Sequence, residues 1–308
     1  MEIEFVGCGR FAEVFPKSGS HVYNSVEFAE LNRWKCDELC YVLFADRKPR
    51  LGLVLGRRGD RYLSPFSAPF GGFLACGDQK IGYYFEAAGL LREFLSKEGA
   101  SAEIALPPAF YGEDVFAKSV AALAGTGTLM WVDSNYHYLL QRCDDVEAHM
   151  KRNARKNYHA ALSHGFEVEV LDGCSYADVE RAYGVIRKNR DAHGYPLRMS
   201  LDEVVATAPV VGARFMVMTW RGEDVAAAQV HCVAPGIGQV VYWGDAPGYV
   251  EMRPMNYFTM EVARHFRNEG MRILDIGPSS EEGVPSPGLC DFKESIGCMV
   301  SPKFRFRL

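Results

Sequence analysis

One arrangement of elements is written twice along these 308 residues. Residues 41–45 and 51–55 read as two β runs joined by the charged turn Asp46-Arg47-Lys48-Pro49. An aromatic, Gly/Pro-interrupted stretch, 62–73, leads to an amphipathic helix over 83–97, with Phe85, Ala88, Leu91 and Leu95 at helical spacing. Gly99 stops that helix and 102–106 follows as a strand. The same order returns later. A hairpin, 215–219 and 225–233, turns about Arg221-Gly222-Glu223-Asp224, and strand 238–243, helix 256–267 and strand 271–276 follow it. Few residues are identical, but order and lengths match at a near-constant offset, as tandem copies of one α/β unit would leave them. Length agrees, because a single core stops growing near this size. Two domains are expected, 1–140 and 141–308, in a mixed α+β fold.

Composition removes several alternatives. Hydrophobic residues make up 48% of the chain and charged residues 24%, the balance of a globular protein. No run approaches the roughly 18 apolar residues of a membrane helix. Met1-Glu2-Ile3-Glu4-Phe5 carries acid where a signal peptide carries base, so a cytoplasmic location is expected. Nine cysteines fit neither a disulfide framework nor a zinc site, and all are expected to be reduced, with no metal. A net charge of −5 argues against broad coating of nucleic acid but leaves room for a local basic groove.

Three helices introduce the second half. Over 144–164, Val146, Met150, Ala154, Tyr158 and Ala161 run down one side, and Lys151, Arg152, Arg155, Lys156 and His159 down another. A second helix, 176–192, starts at Ser175 with Asp178 in its first turn, and a third starts at Ser200 with Glu203 in the capping-box position. The first half has a shorter helix, 24–33, capped by Asn24 or Ser25.

Gly7-Cys8-Gly9-Arg10-Phe11-Ala12 matches a dinucleotide fingerprint, but Pro16 and Ser18-Gly19-Ser20 cut off the helix that would hold a pyrophosphate, so it reads as a turn after an edge strand. The cations Lys151, Arg152, Arg155 and Lys156 repel one another with only Glu147 placed to relieve them. They read either as a solvated face or as a clamp for the phosphates of a diphosphate-linked sugar, coenzyme A or an RNA acceptor stem. Lys293, flanked by Phe292 and Ile296, is expected to be half buried and to need an anionic partner, either a ligand or the structural carboxylates Asp291 or Asp275. Asp275 ends a strand and opens a Gly/Ser/Pro loop, where α/β sheets present ligand contacts. Arg253 precedes a helix start, Tyr242 and Trp243 lead into that loop, and His193 and Tyr195 sit in a loop that could meet an acceptor. No nucleophile–base constellation can be assembled from spacing.

The segment Arg152-Asn153-Ala154-Arg155-Lys156 through Gly165 and Val168, the helix over 257–266, Gly270, Asp275-Ile276-Gly277 and Phe292-Lys293-x-x-x-Gly297 together resemble the Fem-type peptidyltransferases and Fem-like acetyltransferases of the GNAT superfamily. The resemblance covers most of 140–308 and, through the repeated layout, the first half. It implies two tandem GNAT-like domains, each a mixed, mainly antiparallel sheet flanked by helices, with the active site in the second. It implies transfer of an acyl or aminoacyl group, from acyl-CoA or aminoacyl-tRNA, to an amine of a cell-envelope precursor such as a nucleotide-linked peptidoglycan peptide or an amino sugar. Lys293 would then stabilise developing charge, Arg152, Arg155 and Lys156 would hold phosphate, and Tyr195, Tyr242, Arg253 and Asp275 would line the substrate groove. Asp245 is the candidate base. The loop 244–254 departs from the Arg/Gln-x-x-Gly-x-Gly/Ala turn that holds coenzyme A in standard GNAT enzymes, having Pro247, Gly248 and Arg253 instead. A coenzyme A-dependent acetyltransferase of a small amine and a non-catalytic binding protein of the same fold are the competing expectations.

Overall fold

The computed structural model describes residues 1–140 and 146–308. They cluster into two compact units, Met1–Ser134 with Ser280–Val284 and Ser301–Leu308, and Asn135–Ser279 with Pro285–Val300. The final strand, which follows the second unit in sequence, is thus part of the first.

Unit 1 contains β1 (Glu2–Val6), α1 (Cys8–Val14), α2 (Val26–Leu31), β2 (Glu38–Ala45), β3 (Pro49–Arg58), β4 (Arg61–Ser64) and β5 (Leu74–Ala75). Next come α3 (Ile81–Glu98), β6 (Ser101–Ala105), α4 (Glu113–Thr126) and the start of β7 (Thr128–Leu139). Strands β1 to β4 are antiparallel neighbours, β4 pairs parallel with β6, and the closing strand β15 (Met299–Arg307) pairs antiparallel with β6. Strand β2 shows why its sequence is apolar throughout. Cys40, Val42 and Phe44 enter a core with α3 and α4, while Tyr41 and Leu43 enter another with Phe11, Phe15 and Ala29 from α1, the residue after it, and α2. Ser25 caps α2, its Oγ accepting from Phe28 N. The stripe of α3 is Tyr84, Ala87, Ala88, Leu91 and Leu95, whereas Phe85, expected in it, is exposed. Gly99 ends α3 at φ 63°. The fingerprint-like Gly7–Ala12 segment, expected as a turn, instead supplies the N-cap and first five residues of the seven-residue α1 behind an edge strand.

Unit 2 contains the end of β7, α5 (Arg152–Leu162), β8 (Glu167–Leu171), α6 (Tyr176–His193), α7 (Leu201–Val211), β9 (Arg214–Trp220), β10 (Glu223–Ala234) and β11 (Ile237–Asp245). Then follow α8 (Pro254–Asn268), β12 (Ile273–Pro278) and α9 (Pro287–Ser295); the short β13 (Ser280–Glu281) and all but the last residue of β14 (Val284–Pro285) belong to unit 1. The strands of unit 2 run in the order β7-β12-β11-β10-β9-β8, antiparallel except for β11 with β12. The β9/β10 hairpin turns at Arg221 and Gly222, φ 51° and 82°, the left-handed pair that suits the strand twist. Helix α8 buries Phe258, Val262 and Phe266 against Ala154, Tyr158 and Ala161 of α5 and the residues of β9 and β10. Each such side chain stabilises by about 1.5–3 kcal/mol. In both units a helix joins two parallel strands after a hairpin, β4-α3-β6 and β11-α8-β12. The fold is mixed α+β with mainly antiparallel pairing, as the repeat foretold.

The stretch 144–164 is not one helix. A 3-10 turn over Val146–His149 precedes α5, which starts at Arg152 with Lys151 as its N-cap. Met150, Ala154, Tyr158 and Ala161 are buried as expected. Asp144, Cys143 and the side chain of Val146 lie outside the described part. The eight described cysteines are free thiols. Among the described residues no helix is long and apolar enough to cross a membrane, and no group of three or more His, Cys, Asp or Glu could hold a metal.

Candidate functional site

Strands β11 and β12 are paired only at their starts, Ile237 to Gln239 against Ile273 to Asp275. Beyond that point β11 runs on to Asp245 and β12 to Pro278, the latter paired with β7 across a bulge between Asp275 and Gly277. Gly277 takes φ 72°, and this left-handed residue breaks the alternation of carbonyl directions along the strand. Three successive carbonyls therefore converge on one ammonium. Lys293 Nζ, delivered by α9, donates to Ile276 O at 3.0 Å, Gly277 O at 2.9 Å and Pro278 O at 3.2 Å. The lysine is 6% exposed, more deeply buried than expected, and its acceptors are neutral carbonyls in place of a carboxylate or phosphate. Burial brings its pKa down to about 8, against the opposing pull of Asp275 and with a further push from the charge of Arg190. The ring of Tyr136 lies 5.4 Å from the ammonium, and the Tyr136 hydroxyl donates to Glu294 at 3.1 Å.

Asp275 is wholly buried. Its carboxyl accepts from Asn135 Nδ2 at 2.7 Å, Gln239 Nε2 at 2.7 Å and Gly277 N at 2.9 Å. It braces the strand end that presents the three carbonyls.

Arg190 is the group that sequence reading missed. It sits near the C-terminus of α6, half buried, with its guanidinium 5.3 Å from the Tyr242 ring and 5.8 Å from the Tyr195 ring. Among the described residues no carboxylate or carbonyl bonds it, its Nε is buried without a partner, and burial lowers its pKa. Tyr242 is held by its hydroxyl, which accepts from Arg198 N at 3.2 Å. Tyr195 stacks on His193 with rings 5.7 Å apart, and His193 Nδ1 donates to Asn189 O at 2.9 Å. Asn189 Nδ2 in turn donates to Asp245 O at 2.8 Å. Gly244 permits this approach, since a Cβ there would come within 2.3 Å of the Asn189 amide. The Asp245 carboxyl is half buried, and burial pushes its pKa up against a smaller pull from His193. Nothing in local spacing separates Arg190 from Arg187 and Lys188 on the same helix; only tertiary placement does.

Arg190 thus lies by the Tyr242 and Tyr195 rings, the Asp245 backbone is tied to Tyr195 through Asn189 and His193, and Asp275 sits in the strand end that holds Lys293. The basic residues of α5 divide. Lys151 Nζ lies 3.4 Å from Glu294, beside Lys293 in sequence, and Arg155 turns back to donate to the carbonyls of Ala148 and Met150. Arg152 and Lys156 are exposed and make no ion pair among the described residues. Glu147, expected to relieve the stripe, pairs with His159 at 2.6 Å. Arg253 holds a left-handed φ of 57° as the N-cap of α8, with Glu251 at 3.9 Å.

No family model matches the chain, and none of the curated proteins matches it either. Solved structures do. FemX superposes with a TM-score of 0.68 at 12% identity, covering 100% of this chain and 97% of that one. The C-terminal domain of a putative lysylphosphatidylglycerol synthetase from Agrobacterium fabrum gives 0.62 at 10% identity, covering 98% and 92%. L-PGS from Bacillus licheniformis gives 0.60 at 13%, covering 97% and 90%. At these identities the likeness is one of fold, and over its whole length this chain shares the fold of FemX.

Proposed function

We propose that the chain is an N-acyltransferase that joins an acyl or aminoacyl group to an amine, working from the 135–300 unit. The observation that carries this reading is Arg190, a half-buried cation held by two tyrosine rings, for which no hydrogen bond or ion pair is seen among the described residues and whose Nε is buried without an acceptor. A desolvated guanidinium left unpaired is an anion site waiting for its ligand. Both activated donors and nucleotide-linked acceptors carry phosphate, and both belong to the activity that resemblance to the Fem family implies.

In the proposed reaction the amine loses a proton to Asp245, whose burial makes it a stronger base than an exposed carboxylate. The nitrogen attacks the donor carbonyl, forming the amide bond. The departing group is the coenzyme A thiolate or the ribose oxygen of tRNA, which takes up the proton. Lys293 contributes a fixed positive charge at the parted strands, its N–H groups already engaged, and Arg190 contributes free donors. The exposed Arg152 and Lys156 are the proposed contacts for phosphate further along the donor. A peptidoglycan peptide or an amino sugar is the proposed acceptor, in a cytoplasmic reaction.

Purified protein incubated with labelled acyl-CoA, or with charged tRNA, and a panel of amines tests this. Transfer from one donor is expected, with Arg190→Gln raising KM at least about tenfold while leaving the thermal midpoint within a few degrees. Absence of transfer from every donor to every amine would overturn the reading in favour of a binding protein.

A further inference from the structure

Unit 1 contains a cavity with none of the residues named for the proposed transfer among its lining. Its volume is about 350 Å³, within the range of roughly 300–1,000 Å³ typical of small-molecule sites. The rings of Phe15, Phe73, Tyr111 and Phe116 form much of its wall, with Leu106 and Val115 between them. Gly19, Gly71 and Gly77 add bare backbone to the wall. That backbone is wedged. A Cβ on Gly71 would stand 2.5 Å from Ser64 Oγ, and one on the adjoining Gly72 would stand 2.6 Å from Leu106 Cδ2. The space is therefore preformed.

Its charge is as telling as its size. Among the described residues no Lys, Arg, Asp or Glu lines it. His21, in the wall, has its pKa lowered by burial to about 4, the Gly71 backbone pulling the other way, and is neutral at pH 7. The Cys76 thiol is pushed up by burial and is likewise uncharged there. Lys118, beside wall residue Ser119, is committed to Asp114 at 2.6 Å, Asp78 at 3.0 Å and Gln79 O at 2.7 Å. An ion entering this cavity would lose its hydration and meet no opposite charge, whereas an apolar ring would exchange water for aromatic faces.

We infer that unit 1 binds an uncharged, ring-containing small molecule in this cavity. Phosphate-bearing ligands belong elsewhere. The inference does not depend on transferase activity, and its failure would leave the transfer assay untouched.

Isotope-labelled protein titrated with indole tests it, followed by the amide signals of Ala75, Gly77 and Gly112. An indole-sized probe should bind with Kd between about 10 μM and 1 mM. Indole-3-acetate and uridine diphosphate should bind at least about tenfold more weakly. Val115→Trp, filling the cavity from α4, should weaken indole binding by at least about tenfold; Ala75→Leu is the milder filling should the first variant not fold. If indole at about 5 mM moves none of these signals, or if either charged probe binds as tightly as indole, the inference is wrong.

Discussion

At Lys293 the burial that lowers the pKa also fixes the sign of its pH dependence. Its folded value is about 8, while an unfolded lysine titrates near about 10.4. Below pH 8 both states hold the proton, and the folded state bears the full cost of the buried charge. Between these values the unfolded chain holds the proton and the folded chain has released it, so this lysine's contribution to stability rises with pH. Urea unfolding at pH 7.5 and 9.5 should show it. The wild type should gain about 2 kcal/mol relative to Lys293→Met over that interval. Transfer should run the other way, since a rate that needs the cation falls as pH rises through about 8. A rate that stays flat from pH 7 to 9.5 while the stability difference appears would leave Lys293 a structural clamp alone. The sequence made this lysine visible, because its apolar flanks Phe292 and Ile296 marked it for burial. It did not show Arg190, whose neighbours along α6 are equally basic.

Elements were legible where their signal is local. The reciprocal bonds of the α7 capping box, Ser200 N to Glu203 Oε2 at 2.8 Å and Glu203 N to Ser200 Oγ at 3.2 Å, lie within four residues of each other and could be read directly. Ser200→Ala should cost about 1 kcal/mol in chemical denaturation and Ser200→Asp much less. A loss under about 0.3 kcal/mol for the alanine variant would show that tertiary packing alone holds this end. Helix α4 and strand β7 escaped for the opposite reason. Much of α4 is alanine and glycine, and its buried residues are only Ser119, Ala122 and Leu123, too small to make a visible stripe. The first residues of β7 are exposed or half buried, with no clean alternation. Phe85 misled because size suggested burial. Its ring instead lies against α4, where a Cβ on Gly125 would come within 2.9 Å, while Tyr84, one position away, takes the core.

For the whole molecule, the boundary expected from the repeated layout and the two compact units differ in where the last strand belongs. A division at 140/141 would assign 301–308 to the second unit, while the structure has Ser301–Leu308 in the first. The contacts explain this. Phe306 is 1% exposed in the core formed with α3 and α4, and Leu308 and Ala102 exchange backbone bonds at 2.9 and 3.0 Å. Arg305 and Arg307 both reach Glu103, at 3.3 and 3.1 Å, and Arg61 lies 3.8 Å from the same carboxylate. Deleting 301–308 would empty the Phe306 site and strip β6 of a neighbour, and the first alone costs about 3–5 kcal/mol. Native-state hydrogen exchange should therefore show protection collapsing across β2, β3, α3 and β6, while β9, β10 and α8 keep theirs. Were protection lost in 146–300 and retained in the first unit, the last strand would belong to the second, and the division read from the sequence would replace the one described above.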